Sequence, residues 1–172
     1  MEISLFKVKI KIEFSFVFVL IAAVLFGYEY LPEILLFSFL HEMGHIVALL
    51  CFKTPPYRIV FSFFGIGLKY ENRLSPWQEA LTAFAGPFVN LILFLFLRDE
   101  VNLFLLLINL FPTFPLDGGR ILKSVFPSAY KAISLVFIFV LLLMSVYLLI
   151  EYKIFSLLFI AVYLLIFNLR SL

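Results

Sequence analysis

The chain has 172 residues, 65% of them hydrophobic and only 14% charged, with a formal net charge of +2. Water-soluble domains run nearer about 45–50% apolar and about 25% charged, so an ordinary soluble domain is excluded. The expectation is one polytopic α-helical membrane domain over 1–172, with a small β-sheet at its cytoplasmic face. The charge balance gives no sign of nucleic-acid binding. The single cysteine, Cys51, allows no internal disulfide and is expected as a small buried apolar residue.

Residues 5–13, LFKVKIKIE, alternate lysines with apolar residues, the period of a half-buried strand rather than a helix. One face is too polar for lipid, which places the strand at the cytoplasmic surface. A basic tether to anionic headgroups is the alternative. No small-residue cleavage site follows, so the segment does not read as a secretory signal.

Apolar spans are predicted at about 14–30, 34–52, 77–97, 101–117, 130–149 and 154–169. Between the second and third, YRIVFSFFGIGLKYE (57–71) is rich in β-branched and aromatic residues and broken by Gly65 and Gly67. It predicts two strands able to pair with the N-terminal one. Open sheet edges are not tolerated against lipid. An uncovered edge at Phe63, Gly65, Ile66 and Gly67 is the candidate for holding a substrate strand.

Ser75 and Pro76 open the third span as N-cap and first helical residue, with Glu79 completing a capping pattern. Within it, AFAGPFVN (83–90) supplies small residues for close helix approach, and Asn90 for a hydrogen bond across helices or substrate positioning. The fourth span runs into NLFPTFPLDGGR (109–120), whose prolines and glycines forbid a regular helix. Irregular backbone at membrane depth survives only where protein buries it or a wet cavity meets it. With both termini cytoplasmic, only Arg98 and Lys153 of the 13 basic residues fall on the outer side. That asymmetry supports six spans in a cell membrane.

The second span carries the chemistry. It contains HEMGH, with His41 and His45 one helical turn apart on one face and Glu42 beside them. Two imidazoles at this spacing can hold one metal ion, and the glutamate can reach a metal-bound water as general base. Ionisable groups this deep cost about 2.5–3.5 kcal/mol even on lenient scales, so they point to a functional site. Packed histidines with a snorkelling glutamate are the bland alternative. The chain has no third histidine. A zinc hydrolase site takes three protein ligands, and Asp117, the only acid in the irregular segment, is the candidate third. An Asx turn before Gly118-Gly119 would also explain it. Asn109, in the same segment, is the candidate donor to an oxyanion, with an interhelical hydrogen bond as the alternative.

HEMGH, AGPFVN and NLFPTFPLDGGR in this order resemble the site-2 protease family of intramembrane zinc metalloproteases. The short six-span form looks most like its sporulation factor FB branch. The likeness covers residues 5–125, and the last two spans only by hydropathy. It implies one Zn2+ per chain held by His41, His45 and Asp117, with Glu42 as catalytic base. It also implies cleavage of a peptide bond in or near a membrane segment of a regulatory protein. The chain lacks the PDZ insertion and regulatory C-terminal domain of some members, so the control of activity, regulatory membrane partners and oligomeric state stay open. Competing readings are a catalytically silent protease-like membrane binding or chaperone subunit, and a metal transporter. The latter would want polar residues along the last two spans.

Overall fold

The computed structural model describes residues 2–5, 8–62, 65–71, 74–153 and 155–170. Phe63, one of the substrate-strand candidates, and the basic residues Lys7 and Arg73 lie outside them. The elements in order are β1 (Glu2–Leu5), β2 (Val8–Ile12), α1 (Phe14–Leu25), α2 (Leu31–Cys51), β3 (Arg58–Ser62), β4 (Gly65–Lys69), α3 (Pro76–Leu97), α4 (Glu100–Asn109), α5 (Asp117–Val125), α6 (Tyr130–Tyr152) and α7 (Ser156–Arg170). They form two compact units, residues 1–106 and 107–172.

The first unit carries a four-stranded sheet in the order β1-β2-β3-β4. The alternating N-terminal segment is a hairpin rather than the single strand expected over 5–13: β1 folds back antiparallel on β2, with Ile3 opposite Ile10. β2 and β3 pair in parallel, Ile10 opposite Ile59, and β3 and β4 antiparallel, Val60 opposite Gly67. Parallel neighbours need a crossover, and here it is the pair α1 and α2. The two helices carry the chain away from the sheet and back to it.

α2 starts on Pro32 and Glu33 in its first turn and ends where Lys53 enters the left-handed region at φ 57°. Pro55 and Pro56 follow and cannot continue it. The helix has two faces. Phe37, His41, Gly44, His45 and Leu49 are buried, whereas Met43, Val47 and Leu50 are exposed. Cys51 lies on the exposed side, not in the core as expected, because it is one residue past Leu50 on the outward stripe. α3 packs against the buried face. Its N-terminus is a capping box in which Gln78, three residues after Ser75, donates its backbone N–H to the Ser75 hydroxyl and accepts the Ser75 N–H. Glu79 is one residue too far to close that ring. It accepts the Tyr70 hydroxyl instead, tying the end of β4 to the first turn of α3.

In the second unit, the span expected over 101–117 stops as a helix at Asn109. Residues 110–116 are irregular, with a cis Phe114–Pro115 bond, and α5 begins at Asp117. The last two helices hold this segment through side chains. The Ser134 hydroxyl donates to the Pro112 carbonyl at 2.6 Å. The Asn168 amide donates to Thr113 Oγ1 at 2.9 Å and to the Phe114 carbonyl at 2.7 Å. A Cβ at Gly118 would overlap the Leu110 carbonyl, and one at Gly119 the backbone of Thr113, so only glycine lets α5 start this close to the preceding turn.

Among the described residues, three helices, α2, α3 and α6, are long and apolar enough to cross a membrane. The apolar helices α1, α4 and α7 are shorter than the 18 residues such a span takes. Phe14 is 91% exposed and Phe96 84%, surface that lipid accommodates and water does not.

Candidate metal centre

His41 and His45 face α3 because α2 and α3 approach closely. A Cβ at Gly44 would stand 2.6 Å from the Ala85 carbonyl oxygen, so glycine is what permits the crossing. Both imidazoles are nearly sealed, 5% and 3% exposed. Their rings are close to perpendicular, at 83°.

Each ring is held by its Nδ1. His45 Nδ1 lies 2.7 Å from the Thr82 carbonyl oxygen, which can only accept, so this nitrogen carries the hydrogen. His41 Nδ1 lies 2.5 Å from Asn90 Oδ1, also an acceptor. In neutral rings so held, the two Nε2 atoms would present lone pairs to each other across 3.1 Å. Two facing lone pairs repel unless a cation lies between them. Two Zn–N bonds of about 2.0–2.1 Å at a tetrahedral angle set their nitrogens about 3.3 Å apart, close to what is found. The space in front of them is kept open by Gly86, where a Cβ would stand 2.6 Å from His41 Nε2. The donor set, the tautomers and the clearance therefore fit a zinc ion. The Glu42 carboxylate is half-buried in the same cluster, its ligand atom within 4.8 Å of the others.

Asn90 is fully buried behind His41, and its NH2 donates to Asn102 Oδ1 at 3.1 Å. Both ends of its amide are engaged, so in this structure it is a partner of His41. Gly65, Ile66 and Gly67 form part of β4, a terminal strand in the order of the described sheet.

In the second unit, Asp117 is buried at the first turn of α5 and its Oδ1 accepts a hydrogen bond from Arg120 at 3.0 Å. The Leu116 N-cap uses no side chain, and Asp117 bonds forward to Arg120. Asn109 is half-buried at the end of α4.

Several positions escape a reading of the sequence. Thr82 acts through its backbone carbonyl, which no side-chain pattern reveals. Gly86 was visible only as a small residue. Asn102 and Asn168 carried a usable signal, since an amide in an apolar helix is costly unless it is bonded.

No family model matches the chain. A curated protein of Synechocystis sp., provisionally named a zinc metalloprotease, is 35% identical over 105 residues. That stretch is 49% of this chain and 28% of the relative, so the match spans little more than a quarter of the relative's length. Among solved structures, the site-2 protease from Methanocaldococcus jannaschii superposes with a TM-score of 0.70 at 19% identity, covering 99% of this chain and 94% of that one. The resemblance read from the three motifs thus extends to the architecture: this chain is a membrane protein of the site-2 protease fold.

Proposed function

We propose that the chain is an intramembrane zinc endopeptidase that hydrolyses a peptide bond in or near a membrane segment of a regulatory protein. The observation that carries this reading is the pair of Nε2 atoms facing each other at 3.1 Å with Glu42 in the same cluster. The relative's name and the site-2 protease fold support it.

His41, His45 and Asp117 would hold one zinc ion. Zinc, when bound, acts as a Lewis acid and lowers the pKa of water toward ~7. Glu42 takes the proton of the attacking water and returns it to the leaving amine, the shuttle a carboxylate beside such a cluster performs. Asn109 donates a hydrogen bond to the developing oxyanion. A helical substrate hides its peptide bonds in its own hydrogen bonds. The edge of β4 at Gly65, Ile66 and Gly67 receives the unwound segment as an added strand. The six apolar helices form one membrane-embedded domain, with both termini cytoplasmic, as the lysine and arginine distribution favours.

The test is co-expression with candidate single-span regulators, comparing the natural chain with Glu42→Gln. Product from the first and none from the second is expected, and chelation should abolish the first. Equal cleavage by both would refute the proposal. A silent binding subunit would give no product from either.

A further inference from the structure

A chain of buried amides leads away from His41. Its Nδ1 bonds to Asn90 Oδ1, the Asn90 NH2 donates to Asn102 Oδ1, and the Asn102 NH2 donates to Asp99 Oδ1 at 3.4 Å. The same carboxylate oxygen accepts the Asn102 backbone N–H at 3.1 Å, capping the start of α4. Asn90 and Asn102 are both fully buried. Asp99 is half-buried at the turn between α3 and α4.

We infer that Asp99 and Asn102 are positioning residues of the metal centre, fixing the direction of the Asn90 amide and, through it, the nitrogen of His41 that carries the hydrogen. This rests on the reading of His41 as a ligand through Nε2. An asparagine beside a neutral imidazole can be satisfied two ways. It can accept from Nδ1–H, or it can turn over and donate to Nδ1, which moves the ring hydrogen to Nε2. Only the first leaves Nε2 able to bind a metal. Asp99 breaks the tie because an ionised carboxylate only accepts. The NH2 of Asn102 must then face it, so the Asn102 oxygen faces Asn90. Asn90 must answer with its own NH2, and its oxygen is left for His41. One acceptor at the turn thus sets the polarity of three groups in series. Partners behind a ligating histidine of this kind typically change metal affinity by about 10–100-fold.

The test uses the full chain purified in detergent with 15N-labelled histidine. The chain has only two histidines, and His45, held by the Thr82 carbonyl, is the internal reference. In metal-free protein both rings should carry hydrogen at Nδ1. Asn102→Leu should shift His41 toward the Nε2–H form, leave His45 unchanged, and weaken zinc in a chelator competition by about 10–100-fold. An aspartate at position 90 accepts whichever way it is turned. In an Asn90→Asp background, adding Asn102→Leu should therefore change zinc affinity by less than about threefold. In Asp99→Asn the Asn102 backbone N–H, which must have an acceptor, holds the amide oxygen in the place of Oδ1, so this variant should retain the natural tautomer, while Asp99→Ala should lose it.

An unchanged His41 spectrum in Asn102→Leu would overturn the inference. So would an equal loss of affinity in both backgrounds, which would mark a packing role. If Asn102→Leu fails to fold, the Asp99→Asn and Asp99→Ala pair decides the same point. If the natural chain binds no zinc, the protease reading falls, while the tautomer comparison still decides this one.

Discussion

Gly86→Ala isolates the clearance that the paired imidazoles need. The added Cβ would stand 2.6 Å from His41 Nε2, and its three nearest neighbours are all atoms of the two imidazoles. Comfortable carbon contacts lie at about 3.5–4.0 Å, so the His41 ring must retreat by about 0.9 Å, and the His45 ring, whose Nε2 is nearer still, by more. Ligand distances tolerate only about 0.2 Å, and the methyl also fills the space on the metal side. Zinc affinity should fall by at least about 100-fold, the upper end of what loss of a supporting partner costs. The fold should survive, because the neighbours are side chains that can turn and alanine is favoured over glycine in a helix by about 1 kcal/mol. Gly44→Ala is the contrasting variant, since its Cβ would press on the Ala85 backbone and push α2 from α3. The assay is metal content and chelator competition on purified protein, beside a thermal unfolding curve of the metal-free form. Gly86→Ala with one tightly held zinc per chain would refute the assignment of that space to the ion.

Other outcomes follow from the same geometry. Glu42→Gln should keep its zinc, because the carboxylate is not needed as a ligand, and lose cleavage by about 10²–10⁴-fold, the usual worth of a general base; loss of zinc instead would make Glu42 a ligand. Asp117→Asn should weaken zinc by at least about tenfold in the same chelator competition, and a full complement at unchanged affinity would remove Asp117 from the metal. Asn168→Leu should destabilise the chain by about 1–3 kcal/mol, because Thr113 and the Phe114 carbonyl lose their donor. Thermal unfolding of the metal-free protein measures this, and an unchanged midpoint would show that the segment before Asp117 stands without α7.

Much of this architecture was legible because it rests on local periodicity. The i, i+4 spacing of His41 and His45 needs only a helix to bring the rings together. The strand pair at 57–71 announced itself by composition, with Gly65 opening β4 at φ 105°. What stayed hidden depends on partners distant in sequence. The Thr82 carbonyl that orients His45 is 37 residues away. Asn168 is 55 residues from Thr113, and its span reads simply as apolar scaffold. The N-terminal alternation was correctly a strand pattern, but alternation says nothing of where a strand folds back on itself. The two faces of α2 were equally unreadable near its end, where Cys51 is as apolar as the core residues around it.

If the chain cleaves as proposed, the parallel pairing of β2 with β3 bears on where a substrate would be cut. It clamps the entry to α1 and the exit from α2 to one sheet. His45 lies six residues before the end of α2, about 9 Å along the axis at ~1.5 Å per residue. Under the proposed function, with the strands at the membrane surface, the sheet would work as a depth gauge: the scissile bond would be selected by its distance below the interface as much as by the side chains that flank it.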